Sequence, residues 1–300
     1  MQLLKSGKVK DVYEVNAEQL EFVFSDRISI FDKIIPSMIP RKGETLARTS
    51  AYWFEALKEM RVPSHYIKLN ASNRMLVKRV NVINDYTKIN GKTRNYLIPL
   101  ECVTRFFVYG SLWDRVKDNS VNPESLGFPK EHKISIAEPL PKPFFEVTTK
   151  LEKVDRHITT EEALRISGLS LQEYDEIKEM ILKIDGEINS RVWKRGLIHV
   201  DGKKEFAFDE KRNLMVVDTF GTADEDRFWD AAEFEKGKCV EKSKEYVRQY
   251  YRETGYYDLL VEARKNDSEE PPIPPLPPEM IKQVSNVYIS LYEEITGLPF

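Results

Sequence analysis

The chain has 300 residues, 41% of them apolar, with 46 basic and 49 acidic side chains and a formal charge of −3, so it can build a sizeable core but no global field that recruits nucleic acid or an anionic membrane. Only Cys102 and Cys239 are present, far apart and without His or Cys at ligand spacing, which excludes a disulfide framework or zinc cluster and fits a reducing compartment. The opening MQLLKSGKVKDVY lacks a signal-peptide core, and no segment reaches the roughly 18 uninterrupted apolar residues of a membrane span, so a cytoplasmic, non-membrane protein is expected.

Residues 9–35 read as short strands, VYEV, EFVF and ISIFDKII, broken by polar turns. Gly43 and Glu44 lead into TLARTSAYWFEALKEM, where Leu46, Tyr52, Trp53 and Leu57 recur at helical spacing until Val62-Pro63. RMLVKRVNVI and PLECVTRFFVY read as further strands, joined by NDYTKINGKTRN as an exposed hairpin or insertion. Residues 1–109 are thus expected to form a β-rich nucleotide-binding lobe, and residues 110–300 an α+β substrate and metal lobe with a helical tail.

Pro123, Pro129, Pro139, Pro141 and Pro143 predict an irregular segment over 111–158. Thr159 with Glu162, and Ser170 with Glu173, match capping boxes; the second opens a helix whose Ile177, Ile181, Ile184, Ile188 and Val192 share a buried face. LIHVDGKKEFAFD and NLMVVD predict a hairpin around Glu210–Asn213. SEEPPIPPLPPE reads as a polyproline II spacer lying against the body, followed by an amphipathic helix over 279–296 that Gly297 caps. Trp53, Trp113, Phe228 and Trp229 read as core or interface packing.

A four-residue loop at 210–213 sets Glu205 directly opposite Asp218. Two opposed carboxylates are destabilising unless something neutralises them, and oxygen-only ligands favour Mg²⁺ with nucleotide phosphates completing its shell. The two-residue period places Asp201, Lys203 and Glu205 on one face, an alternation that in an arbitrary sequence is more often the solvated side of a hairpin. Ser6-Gly7-Lys8-Val9-Lys10 sets two lysines beside a permissive glycine, as a phosphate-holding turn or a solvated one. Arg105 with Tyr109-Gly110-Ser111 offers a guanidinium and a hydroxyl to an anion, or is an ordinary turn with a surface arginine. The four histidines are scattered, which argues against histidine-borne metal or triad chemistry.

Read in order, GKVKDVYEV, FSDRISIFD, IPRKGETLARTSAYWF, PLECVTRFFVYGSLW, PFFEVTTKLEKVD, GLIHVDGKKEFAFD and MVVDTFGTADEDRFWD resemble the SAICAR synthetase family over nearly the whole chain. The resemblance implies an α+β, two-lobed fold whose β-rich N-terminal lobe is similar to a kinase small lobe, and an ATP-dependent ligase of purine biosynthesis. Such an enzyme joins carboxyaminoimidazole ribonucleotide to L-aspartate through an acyl phosphate. By resemblance, Lys8 and Lys10 contact ATP phosphates, Lys78 lies near the adenine, and Glu205 and Asp218 hold Mg²⁺. Arg105, Gly110 and Ser111 match the family's R-x-x-x-x-G-S, which handles the ribonucleotide. Asp32, Asp155, Asp201, Lys203, Asp224 and Arg227 complete the substrate region, with Asp201, Lys203, Asp224 and Arg227 as its catalytic members. The resemblance implies small-molecule partners only, and the long tail inclines toward a monomer.

The chain departs from the family pattern at Asp218-Thr219, Val154-Asp155-Arg156, Glu205-Phe206-Ala207 and Thr222–Arg227. These departures spare the expected metal carboxylates and fall where the amino acid and ribonucleotide are handled. They leave two other readings: an ATP-dependent amide ligase or phosphotransferase acting on another carboxylate, and a non-catalytic nucleotide-binding protein on the same scaffold. Neither H-R-D nor D-F-G of a protein kinase is present.

Overall fold

The computed structural model describes residues 1–300. The N-terminal part lays down β1 (Gln2–Ser6), β2 (Lys10–Glu14), β3 (Gln19–Phe24), the ribbon of β4 (Arg27–Ile30) and β5 (Lys33–Met38), helix α1 (Lys42–Glu59), β6 (Tyr66–Ala71) and β7 (Arg74–Lys78). The first sheet runs β1-β2-β3-β7-β6, antiparallel throughout. Phe22 and Phe24 on β3, with Met75 and Val77 on β7, turn inward against α1, whose buried Leu46, Trp53, Phe54 and Leu57 supply the facing stripe. Strands β1 and β6 are absent from the sequence reading. Both are edge strands, and β1 is exposed along its whole length, so neither shows the alternation that marks a half-buried strand.

The second sheet is built from β8 (Tyr96–Phe107), β9 (Pro139–Thr149), β10 (Leu197–Phe208), β11 (Leu214–Val217) and β12 (Asp226–Asp230), with α2 (Ser111–Lys117), α3 (Thr160–Ser167) and α4 (Leu171–Trp193) between them. Its order is β11-β10-β8-β9, and β12 pairs beside the first half of β10 while β11 pairs beside the last. Strand β8, read from the sequence as the end of the N-terminal lobe, is therefore an inner strand of this second sheet. Residues 139–149, read as irregular, form β9. It lies at an edge, where a proline's missing N–H can fall on the side without a partner strand. The 84–95 segment is an exposed loop with one 3₁₀ turn rather than a hairpin, anchored by buried Ile89.

The helix starts follow their caps. Ser170 Oγ accepts from the Glu173 amide at 3.2 Å, and Glu173 Oε2 accepts from the Ser170 amide at 2.8 Å. Thr159 caps α3 in the same way, but Glu162 turns outward to Arg156 at 2.7 Å, so only half of that box forms. Helix α4 buries Ile177, Ile181, Ile184 and Ile188 against the second sheet, each contributing roughly 2 kcal/mol of transfer free energy. One continuous apolar core joins both sheets, α1, α4 and the tail.

The tail comprises α5 (Ala231–Phe234), α6 (Glu245–Glu253), α7 (Tyr256–Lys265) and α8 (Pro278–Thr296). The proline-rich strap between α7 and α8 lies against the body as expected. Ile273 and Leu276 are buried, and Tyr251 and Tyr256 donate to the carbonyls of Pro274 and Pro271. Helix α8 buries Val284, Tyr288, Leu291 and Ile295 and ends at left-handed Gly297. No helix is long and apolar enough to cross a membrane.

The β10–β11 hairpin differs from the sequence reading by one residue. The Asp209 amide donates to the Asn213 carbonyl at 3.0 Å, leaving a three-residue loop with Arg212 left-handed at φ 63°. Asp209 directs this turn by accepting from the amides of Lys211 and Asn213, both at 2.8 Å. Glu205 therefore pairs with Val217 instead of Asp218. Arg212 locks the turn to its surroundings through the carbonyls of Thr93 (2.6 Å) and Gly168 (3.0 Å) and through Glu173 (2.7 Å). Arg212→Ala is expected to cost about 1–3 kcal/mol in equilibrium denaturant unfolding. A midpoint equal to wild type would show that the turn does not depend on this anchor.

Candidate active site

A cleft of about 960 Å³ runs between the two sheets. The β1–β2 turn (Ser6–Lys10) with Leu20 and Phe22 of the first sheet, Leu97, Glu205, Val217, Asp218 and Glu225 on or beside the second, and Arg79–Val82 line it. The apolar part suits a flat ring and the charged part suits phosphate, the pattern of a small-molecule site.

Four expected residues meet there: Lys8, Lys10, Glu205 and Asp218. Asp218 arrives by a route the sequence reading did not foresee. It lies just beyond β11 with φ 63°, a left-handed turn that brings its carboxylate onto Lys10. Lys8 pairs with Asp32 at 2.7 Å on the exposed rim. Lys78 is not brought in; its side chain is exposed, and its neighbours Arg79 to Val82 take the place beside the apolar end of the cleft.

Lys203 lies on the same face of β10 as Glu205 and holds Glu205 at 2.7 Å, Glu101 at 2.9 Å and Glu225 at 3.1 Å. Lys150 pairs with the other oxygen of Glu205. Although burial alone would raise it, Lys150 and Lys203 draw the Glu205 carboxyl well below the usual carboxylate range. Burial lowers Lys10 to about 8 against the attraction of Glu225 and Glu205, and it lowers His65 at the cleft wall to about 3, so His65 is neutral. Asp155, exposed near the mouth, is raised by partial desolvation and by the Asp32 charge. The donor set fits a divalent cation. It is oxygen only, and the carboxylates of Glu205, Asp218 and Glu225 line one cleft. Glu205 and Asp218, with Glu225 beside them, are the residues able to hold it.

Further along β10, Asp201 joins Arg105 at 3.1 Å and Arg227 at 2.6 Å, while Arg105 also reaches Ser111 Oγ at 3.0 Å and Glu146 at 2.6 Å. Gly110 must be glycine here. Its φ is 58°, and a Cβ would stand 2.7 Å from Arg227 Nη2. Two guanidiniums, one hydroxyl and the N-terminus of α2 thus converge on a place suited to an anion.

Asp224 is not in the cleft. It is buried behind the wall, paired with Lys42 at 2.9 Å and Lys244 at 3.3 Å, and the adjacent Glu225 takes the cleft position. Asp226 is also buried, held by His199 at 2.8 Å and Lys204 at 3.0 Å. Asp185, His199 and Asp226 present ligand atoms within 4.8 Å of one another, but the Lys204 ammonium stands among them, bonded to both carboxylates. Gly202 leaves room for this contact, since a Cβ there would collide with the Asp226 carboxylate. Sequence reasoning missed Glu225, Lys150, His65, Lys42 and Lys204. The acid-rich TADED run and the TTKLEK block hold two of them, but nothing in either string tells an inward residue from an outward one.

A family model described as SAICAR synthetase matches residues 3–261. Over 297 residues the chain is 51% identical to the phosphoribosylaminoimidazole-succinocarboxamide synthase of Thermoplasma volcanium, covering 99% of each chain. It is 34% identical over 299 residues to the protein of the same name from Nitrosopumilus maritimus, again covering 99% of each. Among solved structures it is similar to the SAICAR synthase of Saccharomyces cerevisiae complexed with SAICAR, with TM-score 0.74 and 27% identity over 99% of this chain and 95% of that one. It shares the fold of a SAICAR synthetase in complex with ADP, with TM-score 0.68 and 24% identity over 99% and 98% of the two chains.

The arginine cluster makes stability depend on pH. Burial opposes ionisation of Glu245, but Arg227, Arg248 and Arg252 outweigh it and hold the carboxyl down at about 2. A depressed carboxyl stabilises the fold above its unfolded value and loses that contribution as pH falls. Between pH 4.5 and 2, wild type should lose up to about 3 kcal/mol more than Glu245→Gln, measured by denaturant unfolding at each pH. Parallel curves for the two proteins would refute this.

Proposed function

The chain belongs to the SAICAR synthetase family, and we propose that the cleft between its sheets holds ATP while the adjoining arginine cluster holds the ribonucleotide. It is a phosphoribosylaminoimidazole-succinocarboxamide synthase of purine biosynthesis. The observation that carries the site reading is the meeting of the Lys8–Lys10 turn of one sheet with Glu205, Asp218 and Glu225 of the other, backed by Lys150 and Lys203.

In this reading the apolar end of the cleft takes the purine ring, and Lys8 and Lys10 lie along the polyphosphate. Glu205 and Asp218 would hold Mg²⁺, which would supply charge neutralisation for the phosphates when bound. Arg105, Ser111 and Arg227 orient the anionic ribonucleotide, with Asp201 fixing the angle between the two guanidiniums. Its carboxylate attacks the γ-phosphorus of ATP, ADP leaves, and an acyl phosphate results. The amine of L-aspartate then attacks the acyl carbon, phosphate departs and the amide is formed. Lys203, kept protonated by three carboxylates although burial opposes it, carries a fixed positive charge beside the transferring phosphoryl group.

The test is ADP release by the purified protein with Mg²⁺-ATP, carboxyaminoimidazole ribonucleotide and L-aspartate, each omitted in turn, with the product identified by mass. Release needing all three and yielding the succinocarboxamide is expected. Release with a different carboxylate would move the chain to another ligase reaction. Glu205→Gln and Asp218→Asn should each lower turnover by roughly a hundredfold or more while the protein stays folded. Near-normal turnover with unchanged Mg²⁺ dependence in both variants would remove these residues from the metal site.

A further inference from the structure

The family model matches residues 3–261, while relatives aligned over 99% of the chain also include the proline strap and α8. We propose that α8 is a working part of the active site and that Tyr288 on it is a positioning residue, its hydroxyl holding Asp224 and thereby setting where Glu225 stands in the cleft. This rests on the reading of residues 218–227 as one wall of a catalytic cleft.

The first support is the bonding of Asp224. Tyr288 donates to Oδ1 at 2.6 Å, while Oδ2 takes both ammoniums, Lys42 at 2.9 Å and Lys244 at 3.3 Å. All four side chains are buried, so an oxygen that loses its donor has no water to replace it. Lys42 is the first residue of α1, where its charge adds to the positive end of the helix dipole, and the Asp224 carboxylate offsets both. Without Tyr288 the two lysines would draw the carboxylate to one side.

The second support is that α8 reaches Asp224 as one unit with the start of α1. Ser285 Oγ donates to the Pro40 carbonyl at 2.7 Å, Arg48 donates to the Tyr292 hydroxyl at 2.6 Å, and the Arg41 guanidinium lies 4.1 Å from the Phe300 ring centroid. The third is chain alternation. Asp224 faces the interior, while Glu225 faces the cleft, bonded to Lys203 at 3.1 Å and accepting from Thr219 at 3.4 Å. No residue stands between them to absorb a shift.

Wild type, Tyr288→Phe and Ser285→Ala are compared in substrate-dependent ADP release and thermal unfolding. Ser285 helps to hold α8 but does not touch Asp224. Tyr288→Phe should lower kcat roughly tenfold or more with KM for ATP within about twofold. It should melt within about 4 °C of wild type, and Ser285→Ala should keep the wild-type kcat. The proposal is overturned if Tyr288→Phe keeps the wild-type kcat, or if both variants lose kcat in step with melting temperature, which would make α8 only a stabilising element. Absence of substrate-dependent release from wild type is a separate result, overturning the reading of the cleft and this proposal with it.

Discussion

A charge carried into a protein interior has to meet an opposite charge there, and β10 carries charge on both faces. Lys203 and Glu205 point into the cleft, while Lys204, between them in sequence, points into the core and meets Asp185 and Asp226. Removing one partner from such a buried pair costs about 3–5 kcal/mol, comparable to a large part of a domain's net stability. The segment between β11 and β12 is bound by this requirement. Its Asp226 must answer Lys204, its Asp224 must answer Lys42 and Lys244, and what remains, Asp218 and Glu225, is left facing the cleft.

The chemistry follows from that arrangement. The carboxylates on the cleft side are matched by lysines, so the site has fixed charges of both signs at short range and in low dielectric. Phosphoryl transfer asks little covalent participation of a protein and a great deal of positioning. Groups held from behind by buried ion pairs keep their geometry as substrate charge builds, which is electrostatic preorganisation. The arginine cluster repeats the design with another chemistry. Arg105 and Arg227 share Asp201, each has a further carboxylate of its own, and Gly110 permits the close approach.

The sequence was most legible where burial writes a period into it. The isoleucine stripe of α4, both helix caps, the strap and α8 lie where their residues indicate. Edge strands β1 and β6 were invisible because exposure erases alternation, and β9 was masked by prolines that an edge strand tolerates. Glu205 and Asp218 were expected to meet across a hairpin register that the structure does not have, yet both line the cleft. A three-residue turn moves the register by one, and the left-handed backbone at Asp218 restores the meeting that the register loses. Which of Asp224 and Glu225 faces the cleft was beyond reach, because it is decided by lysines at positions 42, 203 and 244, far apart in the chain.

The most direct test of this account is the anomalous scattering from a crystal of the protein grown with ADP and Mn²⁺ in place of Mg²⁺. The account predicts a peak within ligand distance of carboxylate oxygens of both Glu205 and Asp218, with Asp224 still enclosed by Lys42, Lys244 and Tyr288. Bound ADP with the metal on other residues, or with Asp224 turned into the cleft to ligate it, would contradict it.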